Sequence, residues 1–196
     1  MVSLPPVNPQ SPSHVDTDAV AEGGKKPSGP PEPVRLMMRC WAVMLIGELI
    51  HQILTVVFSF ADPAPLREAA KEQAKASGDE VSDGLLNMGV YGAIVFMGLI
   101  QLAVLLLFVF ALRAVKTQGS WAANARRLLQ IFAAFFAIRM LTLFMMQPTS
   151  TAIPVVFYGI DGVVQIILGV AGILGIVYST DKASVDWVEP RAKKEP

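Results

Sequence analysis

The sequence predicts an all-α fold: a four-helix transmembrane bundle with a disordered N-terminal tail and a short C-terminal tail. Three observations carry that expectation. The chain of 196 residues is 53% hydrophobic, above the roughly 45–50% of a soluble domain, and its mean hydropathy is +0.51. The apolar surplus falls into four blocks, about 38–60, 87–112, 128–147 and 155–178. Each is long enough for the roughly 20 residues a helix needs to cross a bilayer. Proline, glycine and charge collect between and outside these blocks.

Residues 1–34 hold Pro5, Pro6, Pro9, Pro12, Pro27, Pro30, Pro31 and Pro33, with glycine, serine and acidic residues between them. Such a composition buries too little apolar surface to offset chain entropy, so a disordered tail is expected. An inert tail is the favoured expectation, with docking through its polyproline stretches the alternative. The tail has no apolar stretch of signal-peptide type, so the first span is expected to serve as an uncleaved signal anchor. Cys40, the one cysteine, excludes an internal disulfide and a multi-cysteine metal cluster. Zero formal net charge gives no overall field for nucleic acid.

Span 1 follows Arg35 and Arg39 and opens on Trp41, placed as an interfacial aromatic. At about 100° per residue, Glu48, His51, Gln52, Thr55 and Ser59 share one face. Residues 61–86 form an outer loop in which Pro63 and Pro65 permit a new start. A short helix over Leu66–Ala76 stops at Gly78. The carboxylates Asp79, Glu80 and Asp83 after it lack the order of a calcium loop. In span 2, Asn87, Ile94, Gly98, Gln101, Leu105 and Phe108 share a face. The following loop carries Arg113, Lys116, Arg126 and Arg127 without an acidic residue, and Ser120 is a candidate N-cap. Span 3 places Phe132, Phe135, Arg139, Thr142 and Met146 together, and Pro148 ends it. Residues 148–154 make a tight turn that keeps spans 3 and 4 adjacent. Span 4 carries Asp161, Gln165, Gly172 and Gly175 on one face, with Gly169 at its margin. The membrane domain thus covers 35–178, and 179–196 is a tail.

Cationic residues set the expected orientation. Lys25, Lys26, Arg35 and Arg39 flank the first span, four more cations lie between spans 2 and 3, and Lys182, Arg191, Lys193 and Lys194 follow the last. Both termini are therefore expected in the cytoplasm of a multi-pass plasma-membrane protein. Arg113, Lys116, Arg126 and Arg127 are expected to bind anionic lipid headgroups there.

The candidate site is a buried polar network of Glu48, His51, Gln52, Gln101, Arg139, Asp161 and Gln165. Ionisable groups in hydrocarbon are costly and mark either function or a packing device. Counting depth from the 148–154 turn puts Arg139 and Asp161 level, so their ion pair is the favoured contact. Glu48 then reaches Arg139 or His51, or burial keeps it protonated. The Glu48-x-x-His51 spacing resembles half of a di-iron motif, whose second copy and extra glutamates are missing, so no metal and no cofactor are expected. No set of residues assembles a catalytic triad, a phosphate loop or a zinc site, so no enzyme is expected.

At Gly47-Glu48-Leu49-Ile50-His51-Gln52, Ala125-Arg126-Arg127-Leu128-Leu129 and Asp161-Gly162-Val163-Val164-Gln165, the chain resembles uncharacterised four-span integral membrane proteins of actinobacteria, such as corynebacteria. The likeness covers about residues 35–180. It implies a bacterial plasma membrane and confers no activity. The expected role is a non-catalytic accessory or assembly protein of a larger membrane or envelope complex, with a membrane-protein partner or a second copy of itself. The alternative is a small transporter or ion-coupled channel using Glu48, His51, Arg139 and Asp161.

Overall fold

The structure, a computed structural model, describes residues 29–78, 80–145 and 152–189. It is all-helical, with no strand among the described residues: α1 Glu32–Ala61, α2 Ala64–Ser77, α3 Asp83–Lys116, α4 Ala122–Thr142 closed by a 3₁₀ turn Leu143–Met145, α5 Val155–Ser179 and α6 Lys182–Val188. Four of these, α1, α3, α4 with its 3₁₀ turn, and α5, are long and apolar enough to cross a membrane. The 30 residues of α1 and 34 of α3 rise about 45 and 51 Å at ~1.5 Å each. Both exceed the roughly 30 Å of a hydrocarbon layer.

Local chemistry explains the boundaries. Pro31 and Pro33 sit at the start of α1, where a missing N–H costs nothing, and Glu32 lies in its first turn. α1 thus begins inside the stretch expected as tail, and Val34 is fully buried. Residues 1–28, the bulk of that tail, lie outside the described residues. α2 ends on Gly78 at φ +75°, the left-handed cap that glycine favours. Ser82 caps α3 by accepting from the Leu85 N–H at 3.4 Å. Arg113 and Lys116 close α3 against its negative end. Ser120 does not cap α4, whose N-cap is Trp121 with no side-chain bond. The 117–121 turn closes instead on backbone bonds from Gly119 to Ala114 and from Ala122 to Gly119.

The spanning helices stand in a square in the order α1, α3, α4, α5, so α1 and α4 face each other across the diagonal. Neighbours run antiparallel. Trp41 meets Gly175 and Gly47 meets Leu168 between α1 and α5, while Ala133 meets Gly172 between α4 and α5. Phe60 stacks on Tyr91, and Phe108 tilts against Phe132. α2 lies on α3 at one end, and α6 folds back on α1, α4 and α5 at the other.

The core is lopsided. Val34, Met37, Trp41, Met44, Leu105, Phe108, Ala111, Val115, Ala125, Leu129, Ala133 and Leu168 are buried toward the end that holds both described termini. Toward the α2 end, among the described residues, the comparably covered apolar side chains are Leu86, Val90 and Ile94 of α3. Trp41 is 0% exposed, not interfacial. Glycine at 175 opens a slot that takes the indole ring inward. On α4 the buried stripe is Ala125, Leu129, Ala133 and Phe136, whereas Phe135 points outward. Arginine at 139 had drawn the expected face one residue aside. Met146 and most of the 148–154 turn lie outside the described residues.

Candidate functional site: an ionic quartet inside the bundle

Four ionisable side chains meet where the tight core gives way to the looser half. Arg139 donates from Nη2 to Glu48 Oε2 at 2.6 Å and from Nη1 to Glu48 Oε1 at 3.3 Å. This is a two-pronged fork across the diagonal, the geometry in which guanidinium and carboxylate bind most strongly. Gln52, one turn on, donates to Glu48 Oε1 at 3.2 Å. The Arg139 guanidinium carbon also lies 4.9 Å from the centre of the Phe136 ring, a cation–π contact. Beside this pair, His51 Nδ1 donates to Asp161 Oδ1 at 2.6 Å. Gln165 donates to Asp161 Oδ2 at 2.7 Å. All four carboxylate oxygens thus accept a hydrogen bond from within the cluster, as buried acceptors require.

The favoured Arg139–Asp161 pair does not form. The register between α4 and α5 explains why. Ala133 lies against Gly172 and Leu143 against Gly162, which stands Arg139 opposite Ile166. Asp161 is five residues further toward the α2 end, about 7.5 Å at ~1.5 Å per residue. The contacts of Trp41 with Gly175 and of Gly47 with Leu168 bring Glu48 level with Arg139. Each carboxylate therefore takes the nitrogen donor nearer its own height. Gln101, on α3, is half-buried but makes no hydrogen bond to the other six expected members.

A second polar cluster at the terminal end was not expected. Arg126 is buried, and its Nη1 donates to the Ser179 carbonyl at 2.8 Å. Gln130 donates to Ser179 Oγ at 2.7 Å, and that hydroxyl donates to the Ile176 carbonyl at 2.7 Å. Glu189 lies 4.0 Å from Arg126 Nη2. Trp187 of α6 donates from Nε1 to the Val115 carbonyl at 3.2 Å and accepts from Gln118 at 2.9 Å on its own carbonyl. Arg126 is thus held inside the fold and does not point to headgroups, while Arg113, Lys116 and Arg127 are exposed. The four-residue spacing of Arg126 and Gln130 on one helix face was the available signal.

Gln165 and Ser179 on α5 are fourteen residues apart, about 21 Å. Between the two clusters the interior is filled by Trp41, Met44, Leu129, Ala133 and Leu168, all fully buried. Among the described residues no three His, Cys, Asp or Glu side chains converge as metal ligands. Fold and site together define a four-helix, membrane-type bundle tied internally by a hydrogen-bonded quartet of ionisable side chains. Comparison with family models, characterised proteins and solved structures returned no match to this chain.

Proposed function

We propose that this chain is a non-catalytic accessory or assembly subunit of a larger membrane complex, seated in a bacterial plasma membrane with both termini in the cytoplasm. One observation supports this reading above others. The quartet spends its bonding on itself: each carboxylate is matched to one nitrogen donor, Arg139 or His51, and one glutamine, which ties α1, α4 and α5 together. Such a network serves registry of the bundle. Arg113, Lys116 and Arg127 then face the anionic headgroups of the inner leaflet, each contributing on the order of 1 kcal/mol. The apolar flank of α3, including Val95, Phe96, Leu99 and Phe110, is left for lipid, a partner span or a second copy. Purification from gently solubilised membranes is expected to bring a stoichiometric membrane-protein partner or a homo-oligomer. A monomer that is solitary in every mild detergent would sink the proposal.

A second reading, ion-coupled transport, draws on the location of the quartet. Side-chain exposure is 10% for Glu48 and 14% for Asp161, but 19% for His51 and 21% for Arg139, so the cluster borders the looser half. Under that reading reconstituted wild-type vesicles carry flux along a proton or cation gradient, and Glu48→Gln or Asp161→Asn abolishes it. Absence of flux from folded wild-type protein under every gradient removes it.

A further inference from the structure

The terminal end of the bundle carries a groove of about 580 Å³, lined by Pro31, the 118–120 turn and the Ala183 and Asp186–Glu189 edge of α6. That volume falls within the roughly 300–1,000 Å³ of small-ligand sites. Trp187 forms part of the wall. Its indole N–H is tied to the Val115 carbonyl and its own carbonyl to Gln118, so the ring is held in place.

The rim carries both signs of charge. Asp186 and Glu189, three residues apart, are exposed at the groove. Asp186 has no ion pair among the described residues, and Glu189 reaches Arg126 only at 4.0 Å. Two carboxylates beside a fixed indole are surroundings that attract an organic ammonium, by charge and by the ring face. The 118–120 turn supplies donors instead. Neither the hydroxyl nor the N–H of Ser120 has a hydrogen-bond partner among the described residues. Trp121, the next residue, starts α4 with no side-chain cap, so the positive end of that helix is open beside the groove. Exposed Lys116 and Lys182 flank the lining residues, and neither has an ion pair among the described residues.

An occupant of one charge meets repulsion somewhere on this rim. A basic peptide faces Lys116, Lys182 and the helix end, and an anion without an ammonium faces Asp186 and Glu189. A zwitterion that joins ammonium to phosphate matches both. On the membrane reading proposed above, on which the source of this ligand rests, the groove stands at headgroup depth. Gln118 is five residues past Arg113, the first charge after the apolar run of α3. Exposed Trp121 adjoins the turn, and tryptophan is enriched at membrane interfaces.

We propose that this groove binds the zwitterionic headgroup of an aminophospholipid, its ammonium on Trp187 between Asp186 and Glu189 and its phosphate at Ser120 and the open end of α4. The site selects against lipids that carry a phosphate and no ammonium.

Competitive lipid binding to the full-length protein tests this. Protein in mild detergent is titrated with dioleoylphosphatidylethanolamine against dioleoylphosphatidylglycerol, and bound lipid is counted by native mass spectrometry. Phosphatidylethanolamine is expected to bind roughly tenfold more tightly, the scale of a cation–π contact reinforced by charge. Asp186→Asn with Glu189→Gln is expected to erase the preference. Asp186→Asn alone, which breaks no described ion pair, is expected to reduce it roughly threefold and carries the test if the double variant fails to fold. Equal binding by wild type, or a preference unchanged by the variants, overturns the proposal. Displacement of the lipid by an equal concentration of soluble glycerophosphoethanolamine overturns the lipid source and assigns a soluble zwitterion. Displacement by hexalysine at lower concentration overturns the site in favour of a basic partner. Membrane insertion is read separately, as resistance of the wild-type protein to carbonate extraction, which tells failure of the site from failure of the membrane reading.

Discussion

The contact of Gly175 with Trp41 offers the sharpest test of the packing. A Cβ built on Gly175 falls 2.5 Å from both Cδ1 and Nε1 of the indole, whereas unstrained carbon contacts lie near 3.5–4.0 Å. Something must therefore shift by about 1 Å. The ring has nowhere to go, because Trp41 is wholly buried among core side chains. Overpacking of this kind costs about 1–3 kcal/mol, and the gain in helix propensity from glycine to alanine returns at most about 1 kcal/mol. Gly175→Ala is expected to destabilise the bundle by about 1–2 kcal/mol, measured as unfolding in one detergent followed by circular dichroism. Gly159→Ala is the control. Its Cβ meets nothing within 4 Å, so it is expected to be neutral or slightly stabilising. Trp41→Phe combined with Gly175→Ala should recover part of the loss, giving a coupling above about 0.5 kcal/mol. If Gly175→Ala matches wild type, or if Gly159→Ala is equally harmful, the close approach of α1 and α5 is wrong.

Other expectations follow from the polar clusters and the caps. Arg139→Met strands Glu48 without its cation. The loss is expected toward the low end of the roughly 3–5 kcal/mol for a broken buried pair, since Arg139 is partly exposed, and Glu48→Leu added to it should restore most of that stability in the same unfolding assay. Arg126→Ala should loosen α6, read as faster proteolysis near Glu189, and leave Arg127→Ala as the variant that instead weakens binding to anionic vesicles. Gly78→Ala forces a left-handed backbone on alanine at a cost of about 1 kcal/mol. Because α2 buries no residue, that loss should appear as faster hydrogen exchange within α2 and leave the global unfolding midpoint unchanged.

Helix existence was legible from the chain because long apolar runs leave a spanning segment no alternative that satisfies its backbone. The polar face of α1 and the glycine face of α5 were legible from angular spacing, and Gly78 from its place after an alanine-rich run. Pairing within the quartet was not. It hangs on a five-residue difference in height between Arg139 and Asp161, set by how Met140 nests on Gly169 and Leu143 on Gly162, and no local pattern encodes that. Trp41 was misjudged because a tryptophan after two arginines has the composition of an interface. Its slot is made by a glycine more than 130 residues away. α6 spans seven residues, too few for a period to show, and it is held by Trp187 and the Asp181 cap.

The ties on α1 also settle which way the bundle winds. Four helices joined by the same connections can be laid around a square clockwise or counter-clockwise, and hydrophobicity alone barely distinguishes the two. Glu48 aims along the diagonal to α4. At about 100° per residue, His51 is rotated about 60° to one side of it, and Val56 about 80° to the other. His51 finds Asp161 on α5, and Val56 finds Gly98 on α3. In the opposite winding His51 would face α3 and Asp161 would lose its imidazole partner. Three side chains within nine residues of one helix thus make the molecule chiral at the level of its topology, and the wrong choice would leave buried polar groups without partners.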